Sequence, residues 1–277
     1  MKKVLLASAA LVASAGFAAA DATVGGYGFA GIKYDGATDD VTVAHAVRLT
    51  FTANVETDNG VSLTAFTRTT VTGAGDGTET FERQRVDIAA AGLSARVGST
   101  HGAAKTLARA AAFYGFDDGD VIAADNNTSV INDSGNNVLV QYTTGSFTVG
   151  VASTIGMAGG DEQDIGVKYS SGNITVGAGY ATDESWMLAL AYNFGQGSVK
   201  VGAGEDAAGN MELTGILSYN IGSATTLGVL IDDKDTNTDT IYGLDVSHDM
   251  GGATLSGTVG SNGAGDVVAG FGVFFGF

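Results

Sequence analysis

The chain has 277 residues, 43 of them glycine, with no cysteine and no proline, and 30 acidic residues outweigh 13 basic ones for a net charge of −17. That charge is repelled by phosphate backbones and excludes nucleic acid as a partner, while a hydrophobic content of 44% is too high for a disordered acidic tail. Without cysteine there is no thiol nucleophile and no cysteine-bound metal, and the lack of proline suits long strands whose every amide must donate.

Residues 1–20 read as a secretory signal: Lys2 and Lys3 precede a weakly apolar run, and Ala18 and Ala20 form the small-x-small pattern of a cleavage site. The expected mature domain is a single unit over 21–277. Losing Lys2 and Lys3 leaves 11 basic residues, so its net charge is 11 − 30 = −19. No later apolar run reaches the roughly 18 residues a membrane helix needs.

What recurs instead is alternation. In VTVAHAVRLTFTANVE, Val41, Val43, Val47, Leu49, Phe51 and Val55 alternate with Thr42, Ala44, Arg48, Thr50, Thr52, Asn54 and Glu56, a period of two that no amphipathic helix has. The pattern predicts sixteen strands, near 22–35, 41–56, 61–72, 79–90, 93–100, 137–144, 147–156, 163–170, 173–182, 185–195, 198–205, 211–221, 224–232, 239–249, 253–260 and 266–277. Their connections alternate between tight turns, such as Asp58-Asn59-Gly60 and Ala91-Gly92, and mostly longer acidic ones, such as 73–78 and 205–210. Between His101 and Asn136 lies a stretch without clear alternation, far above ordinary loop length. Its first part, AAKTLARAAAFYG, has the composition of a short helix ending near Gly115. Its second part carries Asp117, Asp118, Asp120 and Asp125.

One face of these strands is apolar and the other is rich in Gly, Thr, Ser, Asn, Arg and Glu, which suits a wet interior better than a packed core. Aromatics in the apolar phase gather near strand ends: Tyr142, Phe147, Tyr169, Tyr192, Phe194, Tyr219, Phe275 and Phe277 at one end, Tyr180 and Trp186 at the other. Two such belts are what interfacial girdles look like. The expected fold is therefore all-β: a closed antiparallel transmembrane barrel of sixteen strands, its last strand pairing with the first near Thr23 to Tyr34, because an open edge cannot survive in hydrocarbon.

Five of the six arginines, Arg48, Arg68, Arg83, Arg85 and Arg96, fall in the inward phase of four consecutive strands and form a cationic strip. Glu82 falls in the lipid-facing phase, and so does His45, positions that point either to a subunit contact or to a different register there. Acidic groups such as Asp232, Asp233, Asp235 and Asp239, or Asp161, Glu162 and Asp164, read as a solvated rim, with loop-bound calcium as the alternative and no specific calcium loop present. No cofactor is expected.

The strand VGGYGFAGIKYDG after the signal, the segment GLSARVGSTHGAAKTL, the hairpin NNVLVQYTTGSFTVGVAS and the terminal FGF together resemble the general diffusion porins of alphaproteobacteria, of the Rhodobacter-like kind. The likeness spans the mature chain in pattern, although the chain is shorter than a typical member in its outer loops. It implies a sixteen-stranded homotrimer in the outer membrane of a Gram-negative bacterium. The third loop, with Asp117, Asp118, Asp120 and Asp125, would fold into the lumen opposite the arginine strip. It also implies that Phe277 is read by the barrel-insertion machinery. The implied function is a passive water-filled channel for small hydrophilic solutes and ions, without a catalytic step. Acidic loops favour cations and the arginine strip locally favours anions, for a weak lean toward cations. Two rivals are weaker. A barrel hydrolase would need a nucleophile and carboxylate at a recognisable spacing from His45, His101 or His248, and a secreted calcium-stabilised β protein would need tandem Gly-Asp repeats; the sequence has neither.

Overall fold

The computed structural model describes residues 21–72, 81–109, 122, 130–131, 137–156 and 162–277. Sixteen strands form one ring: β1 (Asp21–Asp35), β2 (Asp40–Glu56), β3 (Ser62–Thr72), β4 (Glu82–Ala90), β5 (Leu93–Gly98), β6 (Val138–Thr144), β7 (Phe147–Ser153), β8 (Gln163–Ser171), β9 (Ile174–Ala181), β10 (Trp186–Asn193), β11 (Gly197–Glu205), β12 (Met211–Ile221), β13 (Thr225–Lys234), β14 (Ile241–Asp249), β15 (Thr254–Ser261) and β16 (Val267–Gly276). Each strand is antiparallel to its sequence neighbours, and β16 returns to β1. A helix, α1 (Ala103–Ala108), lies in the long connection between β5 and β6.

The alternating apolar residues face outward. Val43, Leu188, Leu213 and Phe271 are about half exposed or more, as expected of side chains whose solvent is lipid. The outward aromatics at the short-turn end run from 37% exposed at Tyr169 to 59% at Phe277, with rings paired at 4.6 Å for Phe147 and Tyr169. Tight turns are made by residues that can take positive φ: Ala91 at 49° and Gly92 at 84° close β4 onto β5 with the twist that adjacent strands need.

Closure uses the last residue. Gly26 donates to the Phe277 carbonyl at 2.9 Å and Phe277 donates back at 3.1 Å, and the ladder runs from Tyr27 opposite Gly276 to Asp35 opposite Val268. The seam thus begins at Gly26 rather than at Thr23, and Asp21 to Gly25 pair with β2 instead. Deleting Phe277 removes both seam bonds, about 1 kcal/mol each, together with an outward ring of the girdle. The expected result is a lower yield of folded barrel, measured as the fraction of the heat-modifiable band on an unboiled gel.

The inner wall is not uniformly polar. Phe29, Ala44, Ala46, Ile216, Leu230, Ile241 and Val268 form an inward apolar patch on β1, β2, β12, β13, β14 and β16, with Tyr27 and Phe274 packed beside it. That patch stands within an interior otherwise rich in Gly, Thr, Ser, Asn, Arg and Glu, and its physical reason is the loop described next.

Candidate functional site: the inner wall and the loop across it

The arginine wall follows from strand register. Arg48 stands beside Thr70, Arg68 beside Glu82, Arg85 beside Phe66 and Arg96 beside Asp87, so each step to the next strand descends two residues toward the short-turn end. All four face inward. Arg48 donates from Nε to Thr70 at 2.9 Å, its guanidinium 4.7 Å from the centre of the Tyr27 ring. Arg68 grips Glu82 through Nε at 3.1 Å and Nη2 at 3.3 Å. Arg85 lies 3.9 Å over the Phe66 ring and donates from Nε to Asp87 at 3.3 Å. Arg96 meets the same carboxylate through Nε and, at 3.3 Å, through Nη2.

Arg83 departs from this pattern. Between Phe66–Arg85 and Arg68–Glu82 the register shifts, three residue steps on β4 matching two on β3, with Arg83 at φ 56°. An extra residue in one strand inverts the facing of everything beyond it. The bulge therefore turns Glu82 inward, correcting its expected lipid-facing position, and takes Arg83 out of step with Arg85. Its Nη1 lies 2.9 Å from Nε2 of His101, at the root of the long connection. His45 faces outward opposite Ala30, as expected.

Helix α1 lies against the inner faces of β7 to β10 on a bed of glycines. A Cβ at Gly166 would sit 2.3 Å from the Ala103 carbonyl oxygen, one at Gly177 2.2 Å from that of Leu107, and one at Gly179 2.4 Å from the Cβ of Ala104. No side chain of its own caps the helix, and Asp164 of β8 supplies the acceptor, taking the Ala104 amide at 2.6 Å. Asp164 is thus buried on the inner wall rather than solvated on a rim. The helix ends at Ala108, with Arg109 already extended, short of the expected Gly115.

Further along, Ile122 is 2% exposed within the apolar patch, its Cδ1 filling the space where a Cβ on Gly260 of β15 would come within 2.7 Å. Val130 and Ile131 return to Ala104, Ala108, Ala181 and Met187. In a ring of sixteen, β7 and β15 are eight strands apart and face each other. The connection thus touches one wall, the opposite wall and the first wall again, so it crosses the lumen. Asp117, Asp118, Asp120 and Asp125 lie outside the described residues.

Opposite the arginines stand three carboxylates, Glu212 and Asp245, whose place the alternation contained, and Asp232. Glu212 and Asp245 occupy the inward phase of β12 and β14, and Asp232, expected on a rim, occupies that of β13; all three are buried. Thr214 donates to Asp232 and, at 3.4 Å, to Glu212, while Ser256 and Thr258 donate to Asp245 at 3.0 and 2.9 Å. The signal for them was simple: each alternates with outward Leu213, Ile231 or Leu244. Counting Lys234, which pairs in register with Glu212, this wall carries 1 − 3 = −2, while the four stepped arginines with Glu82 and Asp87 carry 4 − 2 = +2. Since β4 and β12 are eight strands apart, the two charged walls lie on opposite sides of the ring. Lys33, Lys168 and Lys200 add inward positive charge on β1, β8 and β11.

At the rim, acidic side chains bond within their own loops. Asp206 accepts from the Asn210 side chain at 2.8 Å and from the Asn210 and Ala208 amides at 2.9 and 2.8 Å, and the Asn210 bonds hold its carboxyl below the usual range. Asp233 accepts from Thr240 and Asp235 from the Met211 amide. Among the described residues no three of His, Asp or Glu converge on one point. The histidines also lie apart: His45 on the outer face, His101 beside Arg83 and His248 beside Thr225.

A closed sixteen-stranded barrel crossed by its third loop, with facing charged walls, is matched in sequence by the family model for Gram-negative porins over residues 7–272. The chain belongs to the Gram-negative porin family. Solved structures similar to this porin include two variants of the porin of Rhodopseudomonas blastica, one with five substitutions and one with three. They are 21% and 22% identical, each with a TM-score of 0.76 over 93% of this chain and 100% of the other. A further variant, with two substitutions, is 21% identical with a TM-score of 0.72 over the same shares. No curated protein sequence matches the chain. The porin is an outer-membrane channel, and its strands, not helices, cross the bilayer.

Proposed function

We propose that this porin is a passive water-filled pore for small hydrophilic solutes and ions, sorting them by size and charge in the gap between the arginine wall and the loop, with no chemical step and no cofactor. The observation that carries this reading is the opposition of Arg48, Arg68, Arg85 and Arg96 on β2 to β5 to Glu212, Asp232 and Asp245 on β12 to β14. Facing rows of opposite charge give a transverse field that orders water and favours polar solutes over apolar ones. Arg83 supports the root of the loop, and Asp117, Asp118, Asp120 and Asp125 add acidity on the loop itself. The acidic loops at the mouth lean the pore weakly toward cations.

The working form is a homotrimer. A cluster on the outer faces of β1 to β3 supports it: Gly26, Gly28, Ala30, His45, Thr67 and Thr69 are small or polar among outward Val24, Ile32, Val43, Val47 and Val71. Residues 1–20 direct export, and Phe277 is the handle for barrel insertion.

Planar-bilayer recording under a salt gradient tests this. Stepwise conductance rising in threes is expected, with a reversal potential on the cation side that moves further that way in the Arg68→Ala, Arg85→Ala double variant. Channels whose reversal potential ignores that substitution would remove the arginine wall from the permeation path.

A further inference from the structure

The Arg85, Asp87 and Arg96 group is an unbalanced ion cluster. Both guanidiniums converge on one carboxylate, Arg85 through Nε on Oδ2 and Arg96 through Nε on Oδ1 and Nη2 on Oδ2. The sum is two positive charges against one negative, or +1. The cluster is not sealed away from water: the side chains of Arg85, Asp87 and Arg96 are 22%, 26% and 32% exposed. Arg85 is also held from behind, with the Phe66 ring 3.9 Å from its guanidinium carbon, so that cation–π contact fixes its plane against the wall. A guanidinium held in place offers its remaining N–H edge without further ordering, and that planar fork matches a carboxylate.

Its position adds a second argument. Arg48, Arg68, Arg85 and Arg96 descend one strand and two residues at a time, so an anion on the cluster has Arg68 one step toward the long-loop end. With neighbouring strands about 4.8 Å apart and a two-residue rise of about 6.7 Å, successive steps lie roughly 8 Å apart along the wall. Arg68 is matched by its own Glu82, and Arg85 with Arg96 share one acid, so the wall's surplus of +2 is divided between Arg48 at its upper end and this cluster at its lower end.

We infer that the Arg85–Asp87–Arg96 cluster is a binding step for solutes bearing carboxylates, at which such a solute pauses between the two guanidiniums during passage. The inference rests on the open-pore reading. It assigns a local anion site inside a pore whose acidic mouths lean toward cations, so carboxylate solutes that enter are retained longer than their charge alone would suggest. Asp87 is the built-in competitor: it draws both guanidiniums onto one carboxylate and keeps the step weak enough to be left, as conduction requires.

Citrate added to single channels in potassium chloride tests it. The wild-type barrel is expected to conduct potassium chloride and to show citrate-dependent current interruptions that saturate. Arg85→Gln and Arg96→Gln should each raise the half-saturating citrate concentration by about fivefold, the size of one partly exposed charged hydrogen bond. Asp87→Asn should move it the opposite way, lowering it severalfold, because the cluster goes from +1 to +2. A purely structural cluster would not give opposite signs. All three variants are compared at equal heat-modifiable migration, with citrate interruptions scored against each variant's own open-channel current, and Lys168→Gln on β8 controls for loss of positive charge in general. Chloride conductance with no citrate interruption, or the same change in all three variants, overturns the inference and leaves the pore reading standing. A wild-type barrel that does not conduct chloride overturns the pore reading and this inference with it.

Discussion

Valine at Gly177 narrows the pore. A side chain at this inward position of β9 has nowhere to go: its first atom would lie 2.2 Å from the Leu107 carbonyl oxygen and 2.6 Å from the Ala108 Cα, both backbone atoms of α1. Backbone cannot rotate aside as a side-chain tip can, so α1 must move toward the lumen by at least ~1 Å to restore ordinary contact near 3.5 Å. Two further methyl groups on valine enlarge that shift, at about 1–3 kcal/mol of overpacking. Sixteen strands remain paired, so the barrel folds and keeps its heat-modifiable migration while single-channel conductance drops measurably below wild type. Alanine at Gly215, on the outer phase of β12 with no atom within 4 Å of the added carbon, is the control and leaves conductance unchanged. Equal conductance in the two variants would show that α1 does not define the opening.

The glycine bed illustrates what a sequence does and does not disclose. The strands were legible because a closed sheet in lipid has one physical demand, an apolar outer face, and that demand repeats every second residue from Val41 to Phe277. Inward positions answer to several demands at once: water, charge, and the underside of a loop. Gly166, Gly177 and Gly179 look like ordinary sheet glycines until the Ala103–Ala108 helix is set upon them, a contact between segments some sixty residues or more apart in sequence. Asp164 looked like part of a rim for the same reason, since its partner, the Ala104 amide, comes from a distant segment.

Charge at the site was half legible. The phase of Arg48, Arg68, Arg85 and Arg96 followed directly from Leu49, Leu63, Val86 and Val97, and the register agrees with it. Glu82 and Arg83 did not, because a bulge is a single inserted residue with no compositional mark, and it inverts phase only on its far side. The awkward lipid-facing glutamate was itself the sign of it: a carboxylate in hydrocarbon costs several kcal/mol, so either the phase or the environment had to differ. Glu212, Asp232 and Asp245 were readable in phase as well, yet their meaning depended on which strands face the arginine wall, and that follows only from counting round a closed ring.

Aspartate at Ile122 releases the loop from the far wall. Ile122 is 2% exposed in a patch with Phe29, Ala44, Ala46, Ile216, Leu230, Ile241 and Val268, where a carboxylate would find only carbon around it. Removing such a side chain costs about 2–4 kcal/mol in packing, and placing an unpaired charge there costs several more. Among the described residues of the connection, Ile122 is the one packed in that patch. The loop's near-wall contacts, α1 on the glycines and Val130 and Ile131 against Met187, do not involve Ile122 and persist. The barrel then keeps its melting behaviour while the crossing segment loses its fixed position. Open-channel current noise rises severalfold, and mean conductance increases as the crossing is lifted from the lumen. Protease added to the folded barrel cleaves within 109–130 in the variant and spares the wild type. Ile122→Leu, which keeps the patch apolar at the same volume, restores quiet current. Quiet current in Ile122→Asp would mean that the loop is held across the lumen by other means, and the apolar patch on β12 to β2 would lose its physical explanation.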